Sequence, residues 1–247
     1  LTPDFIKEFA AYLSTEAGLR NGSIWANCMW LKGVVMKAHY NGLIPRNPFI
    51  QFHISPNVKE REYLTEDELK AVMTHEFADS KLAYIRDIFI FASFTVLSFV
   101  DIQELTNDNI VEVNGEKWIL SKRHKTKVAF QVKLLDIPLQ IVERYRPMQK
   151  DNRIFPDLNY WSICKPLKRM IRECGITKSI SFHCSRHGFA TLALSKGMPI
   201  ESVSRVLGHT NIVTTQLYAK ITTQKLDNDL TMFGDKLSKT FNGITMS

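Results

Sequence analysis

HCSRHGFATLALSKGMPIESVSRVLGHTNIVTTQLY, residues 183–218, divides into three helical segments parted by turn signals. The first spans about 183–196. Gly197 ends it, Pro199 restarts a helix that runs to 207, and a third, short helix over about 211–219 is capped by Thr210 or Asn211. Four reactive side chains punctuate these helices: His183, Arg186, His209 and Tyr218. On a helix His183 and Arg186 stand three apart and project from one face. A guanidinium forks onto two phosphate oxygens, and a nearby imidazole donates to another oxygen or shuttles a proton. A cation, two imidazoles and a phenol together suit attack on a phosphodiester. Taken singly each has a plainer reading: a helix-capping His, a surface Arg, a core aromatic.

Upstream, Val111–Val113, Trp118–Ser121 and Val128–Leu134 alternate as short strands, with Asn114-Gly115 as the hairpin turn between the first two. Helices are expected over 138–149 and 159–174. Before the strands, Thr65 and Glu68 fit a capping box opening a helix to about Phe77. Another helix runs from Ser80 to about Phe94, and IFIFASFTVLSF within this region reads as buried. Residues 51–62 (QFHISPNVKERE) are polar and charged around Pro56 and read as a linker. In residues 1–50, Phe5, Ile6, Phe9 and Leu13 recur at helical spacing up to Gly18, and a second helix spans about Ser23–Tyr40. After Tyr218 a tail carries Leu226, Leu230 and Phe233 at helical spacing. The fold class is mainly α with a small antiparallel β-sheet.

The 247 residues carry a formal charge of +7, which favours a polyanionic partner. The charge is uneven. Six Lys or Arg and no acid lie between Lys117 and Lys133, and ten basic residues against three acidic ones lie between Arg144 and Arg186. Cys28, Cys164, Cys174 and Cys184 form no CxxC pair, which argues against a disulfide framework or structural zinc and for a reducing compartment. No apolar run reaches the roughly 20 residues of a membrane span. No phosphate-binding glycine loop and no carboxylate cluster for magnesium is visible, so neither cofactor nor metal is expected. The chain opens on Leu1 without a secretory signal, and we expect a fragment of a longer protein.

HxxR, then LGH with its His 23 positions on, then Tyr nine further on, resembles the C-terminal signature of the tyrosine recombinase (phage integrase) family. The resemblance extends to the YLTEDEL segment, the small sheet and the helical N-terminus. It implies a helical core-binding domain over 1–54, truncated at its N-terminus, a linker at 55–62, and an α+β catalytic domain with its tail over 63–247. It also implies an enzyme that cuts and rejoins double-stranded DNA through a 3′-phosphotyrosyl bond, for integration, excision or inversion. Tyr218 would be the nucleophile and Arg186 the phosphate holder, with His183 and His209 supplying hydrogen bonds and proton transfer. The family's hairpin Lys aligns best with Lys125 in SKRHKTKVAFQVK. Lys122 and Lys127 stand close by, and Lys122, Arg123 and Lys127 are read as DNA-backbone contacts, a reading open to all the hairpin lysines. The resemblance further implies a tetramer on DNA built by exchange of C-terminal tails, accessory DNA-bending proteins, and a bacterial, cytoplasmic, nucleoid-associated setting. A tail folded back on its own domain fits the same apolar residues.

One segment departs from the pattern. Where most members carry an Arg in a T-G-L-R-x-S-E-L-like segment, this chain has TVLSFVDIQEL, residues 95–105. Ser98 stands in the Arg position and Val96 in that of the Gly, and a serine cannot replace a permanent cation that forks onto phosphate. The resemblance to integrases of Bacteroides-type mobile elements, some of which lack this Arg, suggests a substitute. Arg86 is the candidate, against a reading of Arg86–Asp87 as a salt bridge. The missing Arg keeps open a binding-only regulator using SKGMPIESVSRVLGH as a helix–turn–helix. A type IB topoisomerase would share the chemistry but fits the N-terminal helices less well.

Overall fold

The computed structural model describes residues 1–55, 62–124, 127–149, 151–209, 211–218 and 223–241. The chain forms two units, Leu1–Glu60 and Arg61–Ser247.

In the first unit, α1 (Pro3–Thr15) starts where the Thr2 side chain accepts from the Phe5 amide, with Pro3 in the first turn, where its missing N–H costs nothing. Helix α2 (Asn21–Tyr40) follows, and the two pack through small apolar clusters. Ile6, Val35 and Phe49 form one; Leu13, Ile24 and Cys28 form the other.

The second unit opens with α3 (Glu66–Thr74). Its capping box is complete: the Thr65 hydroxyl accepts from the Glu68 amide, and a Glu68 carboxylate oxygen accepts from the Thr65 amide at 2.7 Å. Glu68 also pairs with Lys178 at 2.6 Å, tying the helix start to a distant loop. The helix stops at Thr74, short of the expected Phe77, because His75 turns extended. Helix α4 (Ser80–Thr95) is apolar nearly all round and forms the axis of the domain. Ile85, Ile88, Phe89, Phe91 and Ala92 are at most 1% exposed, each large side chain contributing about 1.5–3 kcal/mol of burial. At its end Val96 adopts φ 61°, ψ 16°, a left-handed conformation that a β-branched residue pays for with roughly 1–2 kcal/mol. A short α5 (Phe99–Gln103) follows.

Three antiparallel strands come next: β1 (Ile110–Val113), β2 (Glu116–Lys122) and β3 (Ala129–Lys133), in spatial order β1-β2-β3. Asn114 and Gly115 take φ 53° and 78°, the positive pair that the tight turn needs. The remaining helices are α6 (Asp136–Tyr145), α7 (Tyr160–Glu173), α8 (Cys184–Ser195), α9 (Ile200–Leu207), α10 (Val213–Gln216) and α11 (Thr223–Thr240). α6 begins two residues before Pro138, which its first turn tolerates, and gives way to a 3-10 turn at Arg146. The third helix of the opening stretch is shorter than expected, four residues rather than nine. Phe89, Phe99 and Phe182 pack edge to face and join α4, α5 and the entry to α8. The expected linker lies largely at 56–61, outside the described residues. Among the described residues no helix is long and apolar enough to cross a membrane.

Candidate active site

His183 occupies the cap position of α8, and Arg186 falls in the first turn. Cys184 and Ser185 bury against the core, and the Ser185 hydroxyl donates to Phe182 O at 2.7 Å, fixing how the turn faces. His183 is left exposed while Arg186 and His187 are half-buried. His209 is placed by the close of α9. The Gly208 amide donates to Arg205 O and the His209 amide to Ser204 O, both at 3.0 Å, the paired bonds of a Schellman motif. That motif requires the left-handed φ of 66° that Gly208 adopts. Tyr218 follows α10, its amide donating to Thr215 O at 3.0 Å.

These turns converge. The Tyr218 ring stacks on His209 with centroids 6.4 Å apart, and meets His187 edge-on at 5.0 Å. His187 in turn meets His183 at 5.0 Å. His209 Nδ1 and the buried Thr215 hydroxyl are hydrogen-bonded at 2.8 Å. Arg186 donates from Nη1 to Val96 O at 3.1 Å and from Nη2 to Leu207 O. Burial, then the charge of Arg123, lowers the Arg186 pKa to about 10, against the pull of Tyr218 and Asp101. It stays charged at neutral pH. Burial, followed by Arg186, Arg123 and His183, holds the His209 imidazole below its usual value and so favours its neutral form.

Arg123 is the residue that sequence reasoning misplaced. Expected on the surface as a DNA-backbone contact, it is 7% exposed and reaches the same cluster. Its Nη1 donates to Val96 O at 3.2 Å and to Asp101 Oδ2 at 3.0 Å, and its Nη2 donates to Val206 O at 2.9 Å. The guanidinium lies 4.2 Å over the Phe130 ring. Ser98 has a structural task instead of a cation. Its hydroxyl caps α5 in a capping box with Asp101 and donates to Asp101 Oδ2 at 2.8 Å. Asp101 Oδ1 accepts from the His124 amide at 3.0 Å.

The structure does not bring Arg86 to this cluster. Arg86 donates to Asp87 at 2.8 Å and to His75 O at 2.9 Å, and lies over the Phe77 ring. It sits ten residues before Val96, roughly 15 Å along α4 at ~1.5 Å per residue. The salt-bridge alternative is the one observed. Lys125 lies outside the described residues, and Lys122 and Lys127 are exposed beside it.

A mainly helical domain with a three-stranded sheet, presenting Arg, two His and Tyr at one place, has the fold of the tyrosine recombinases. Residues 62–225 match the phage integrase family and residues 1–54 match the phage integrase SAM-like domain. The chain belongs to the phage integrase family. It is 32% identical over 177 residues to the tyrosine recombinase XerA of Pyrococcus horikoshii, covering 66% of this chain and 58% of that protein. It is 25% identical over 229 residues to the tyrosine recombinase XerC of Lactobacillus leichmannii, covering 87% and 77%. Among solved structures, the Tn1549 transposon integrase in complex with circular intermediate DNA shares the fold with a TM-score of 0.76 and 18% identity, over 93% of this chain and 85% of that one.

Proposed function

We propose that this protein is a site-specific DNA recombinase in which Tyr218 attacks a scissile phosphodiester. The phenol passes its proton to an imidazole of the site, its oxygen bonds to phosphorus, and the bond to the 5′-oxygen breaks, leaving a 3′-phosphotyrosyl linkage. The linkage keeps the energy of the cut bond, so religation needs no nucleotide cofactor. The observation that carries this reading is the convergence of Tyr218, His209 and Arg186 from three separate turns. Arg186 retains N–H groups for the non-bridging oxygens, where a well-placed donor is worth on the order of 10²–10³ in rate. With His209 Nδ1 engaged by Thr215, Nε2 is the nitrogen available to the phosphate. His183 adds a second imidazole at the exposed edge. Lys125 is assigned the proton for the leaving 5′-oxygen.

The task is integration or excision of a mobile element, or inversion of a segment. The solved neighbour's complex with circular intermediate DNA favours the first. Residues 1–54 serve as a core-binding domain, 55–62 as linker and 63–247 as the catalytic domain with its tail. Leu226, Leu230 and Phe233 on α11 are 50–59% exposed, which supports docking of the tail on a neighbouring protomer in a tetramer on DNA. Ser98, uncharged where most members carry an Arg, favours a second reading: a DNA-binding regulator without chemistry.

Covalent capture separates the two. Nicked duplexes with a randomised core are incubated with the wild-type chain and protein-linked DNA is selected. An adduct formed by the wild type and absent in Tyr218→Phe supports the recombinase. An adduct that survives the Phe change removes Tyr218 as nucleophile, and capture of no duplex at all favours the regulator.

A further inference from the structure

We propose that Arg123 is a catalytic residue, the second phosphate-binding cation of the site, delivered by the end of β2 to the place that Ser98 leaves uncharged. The inference rests on the reading of Tyr218 as nucleophile.

Position argues first. The turn joining α4 to α5 contains Val96 and Ser98, and Val96 O accepts from both Arg123 and Arg186. The two guanidiniums also take consecutive carbonyls at the close of α9, Val206 O and Leu207 O. Arg123 therefore lies beside the residue 98 turn and shoulder to shoulder with Arg186, although it comes from a different element. Asp101, three residues after Ser98, fixes it there while accepting from the Ser98 hydroxyl and the His124 amide. Ser98, unable to be the cation, helps hold the carboxylate that anchors one.

Charge argues second. Asp101 is the one carboxylate that pairs with these two guanidiniums among the described residues. A structural ion pair would be complete with Arg123 and Asp101 alone and would gain nothing from a second buried cation. Placing Arg186 alongside instead creates an excess of positive charge in a poorly solvated place, a cost that a bound anion offsets. Burial first, and the charge of Arg123 after it, lower the Arg186 pKa, in keeping with two cations held side by side.

Donor accounting argues third. Arg123 Nε is buried with no hydrogen-bond partner. It lies next to Gly208, where an added Cβ would be 3.4 Å away, so the guanidinium borders the turn that carries His209. Together with the N–H of Nη2 that Val206 does not use, it gives Arg123 donor capacity that the protein itself does not consume. In the proposed step no atom passes through Arg123. Tyr218 oxygen bonds to phosphorus, the 5′-oxygen departs with a proton, and Arg123 offsets the negative charge that gathers on the non-bridging oxygens.

The test uses the nicked duplex selected by wild-type covalent capture, made with an ordinary phosphate or with a methylphosphonate, which lacks one negative charge, at the scissile position. Arg123→Ala is expected to form adduct on the order of 10²–10³-fold more slowly on the phosphate. DNA affinity should change only a few-fold. On the methylphosphonate the gap between wild type and Arg123→Ala should close substantially, because the charge that Arg123 meets is gone. Arg123→Lys should recover part of the rate, and so should Ser98→Arg combined with Arg123→Ala. Should Arg123→Ala fold poorly, Asp101→Leu with Arg123→Met removes the ion pair as a unit and is expected to fold and bind DNA while losing cleavage. A wild-type rate in Arg123→Ala, or an equal loss on both substrates, would overturn the assignment. If the wild type captures no duplex, the nucleophile reading fails first and this inference falls with it.

Discussion

Arg123 and Arg186 donate to one carbonyl, that of Val96, from 3.2 and 3.1 Å. That carbonyl exists in the right place because Val96 leaves α4 in the left-handed conformation. Val96 itself is fully buried against Ala190, Leu194, Val203 and Leu207. Backbone strain at one residue thus sets the position of two cations.

Asp101→Ala should be among the most destabilising single changes in the second unit, Arg61–Ser247. It leaves Arg123 buried without its counter-ion, which typically costs ~3–5 kcal/mol. Urea titration of Asp101→Ala and of the Asp101→Leu/Arg123→Met pair checks this. The pair should regain most of the stability, and a pair as unstable as the single change would show that the loss has another origin.

Stability should fall on mild acidification through His209. Burial, followed by Arg186, Arg123 and His183, depresses its pKa, so the unfolded chain takes up a proton that the folded chain resists once pH drops below ~6.5. The contribution is complete above that pH and is lost as pH falls toward the depressed value. His209→Gln, neutral throughout, should show a smaller drop in melting temperature between about pH 7.5 and 5.5. Equal drops in both proteins would mean that His209 titrates normally.

Gly208→Ala should lower both stability and cleavage. The residue holds φ 66°, unfavourable for alanine by about 1–2 kcal/mol, and the new methyl would come into contact with Arg123 Nε at 3.4 Å. Denaturant midpoints and adduct rates measured on the same preparations test the two effects. Full activity with only a stability loss would separate Gly208 from the site.

Arg86→Ala should cost stability without touching the chemistry. Asp87, 4% exposed, would keep Arg144 at 2.7 Å and the Tyr145 hydroxyl at 2.8 Å, so a loss of ~1–2 kcal/mol is expected. Adduct formation per folded molecule should stay at the wild-type rate. A loss comparable to that of Arg123→Ala would return Arg86 to the site.

Thr65→Ala should cost about 1 kcal/mol by removing one half of the capping box, with unchanged cleavage. Thermal melts would detect it.

Local signals in the chain carried the furthest. Thr65 and Glu68 cap a helix three residues apart, and Asn114-Gly115 closes a hairpin, because both depend on neighbours in sequence. The order of His183, Arg186, His209 and Tyr218 was legible as spacing alone. The partners of Arg123 were not. A basic hairpin reads as a solvated, DNA-facing edge, and nothing local says that one of its residues turns inward to a carboxylate 22 positions earlier. Ser98-x-x-Asp101 is itself a capping-box pattern, but it lay inside a segment read for a missing Arg. Arg86 differs: its distance from the end of α4 follows from the residue count, but the hold that the His75 carbonyl adds to the Asp87 pair is tertiary and has no local signal.

Ser98, Asp101 and Arg123 are joined through one carboxylate, and if Arg123 is the second cation the three are expected to be inherited together. A lineage that gave up an arginine at position 98 could persist only if another cation was already in place, and its anchor must then be kept along with it. Related chains with serine at 98 should therefore carry Asp101 and Arg123 together. Chains with arginine at 98 should be free to vary at 123, and the co-occurrence of the three offers a way to sort active members from degenerate ones by sequence alone.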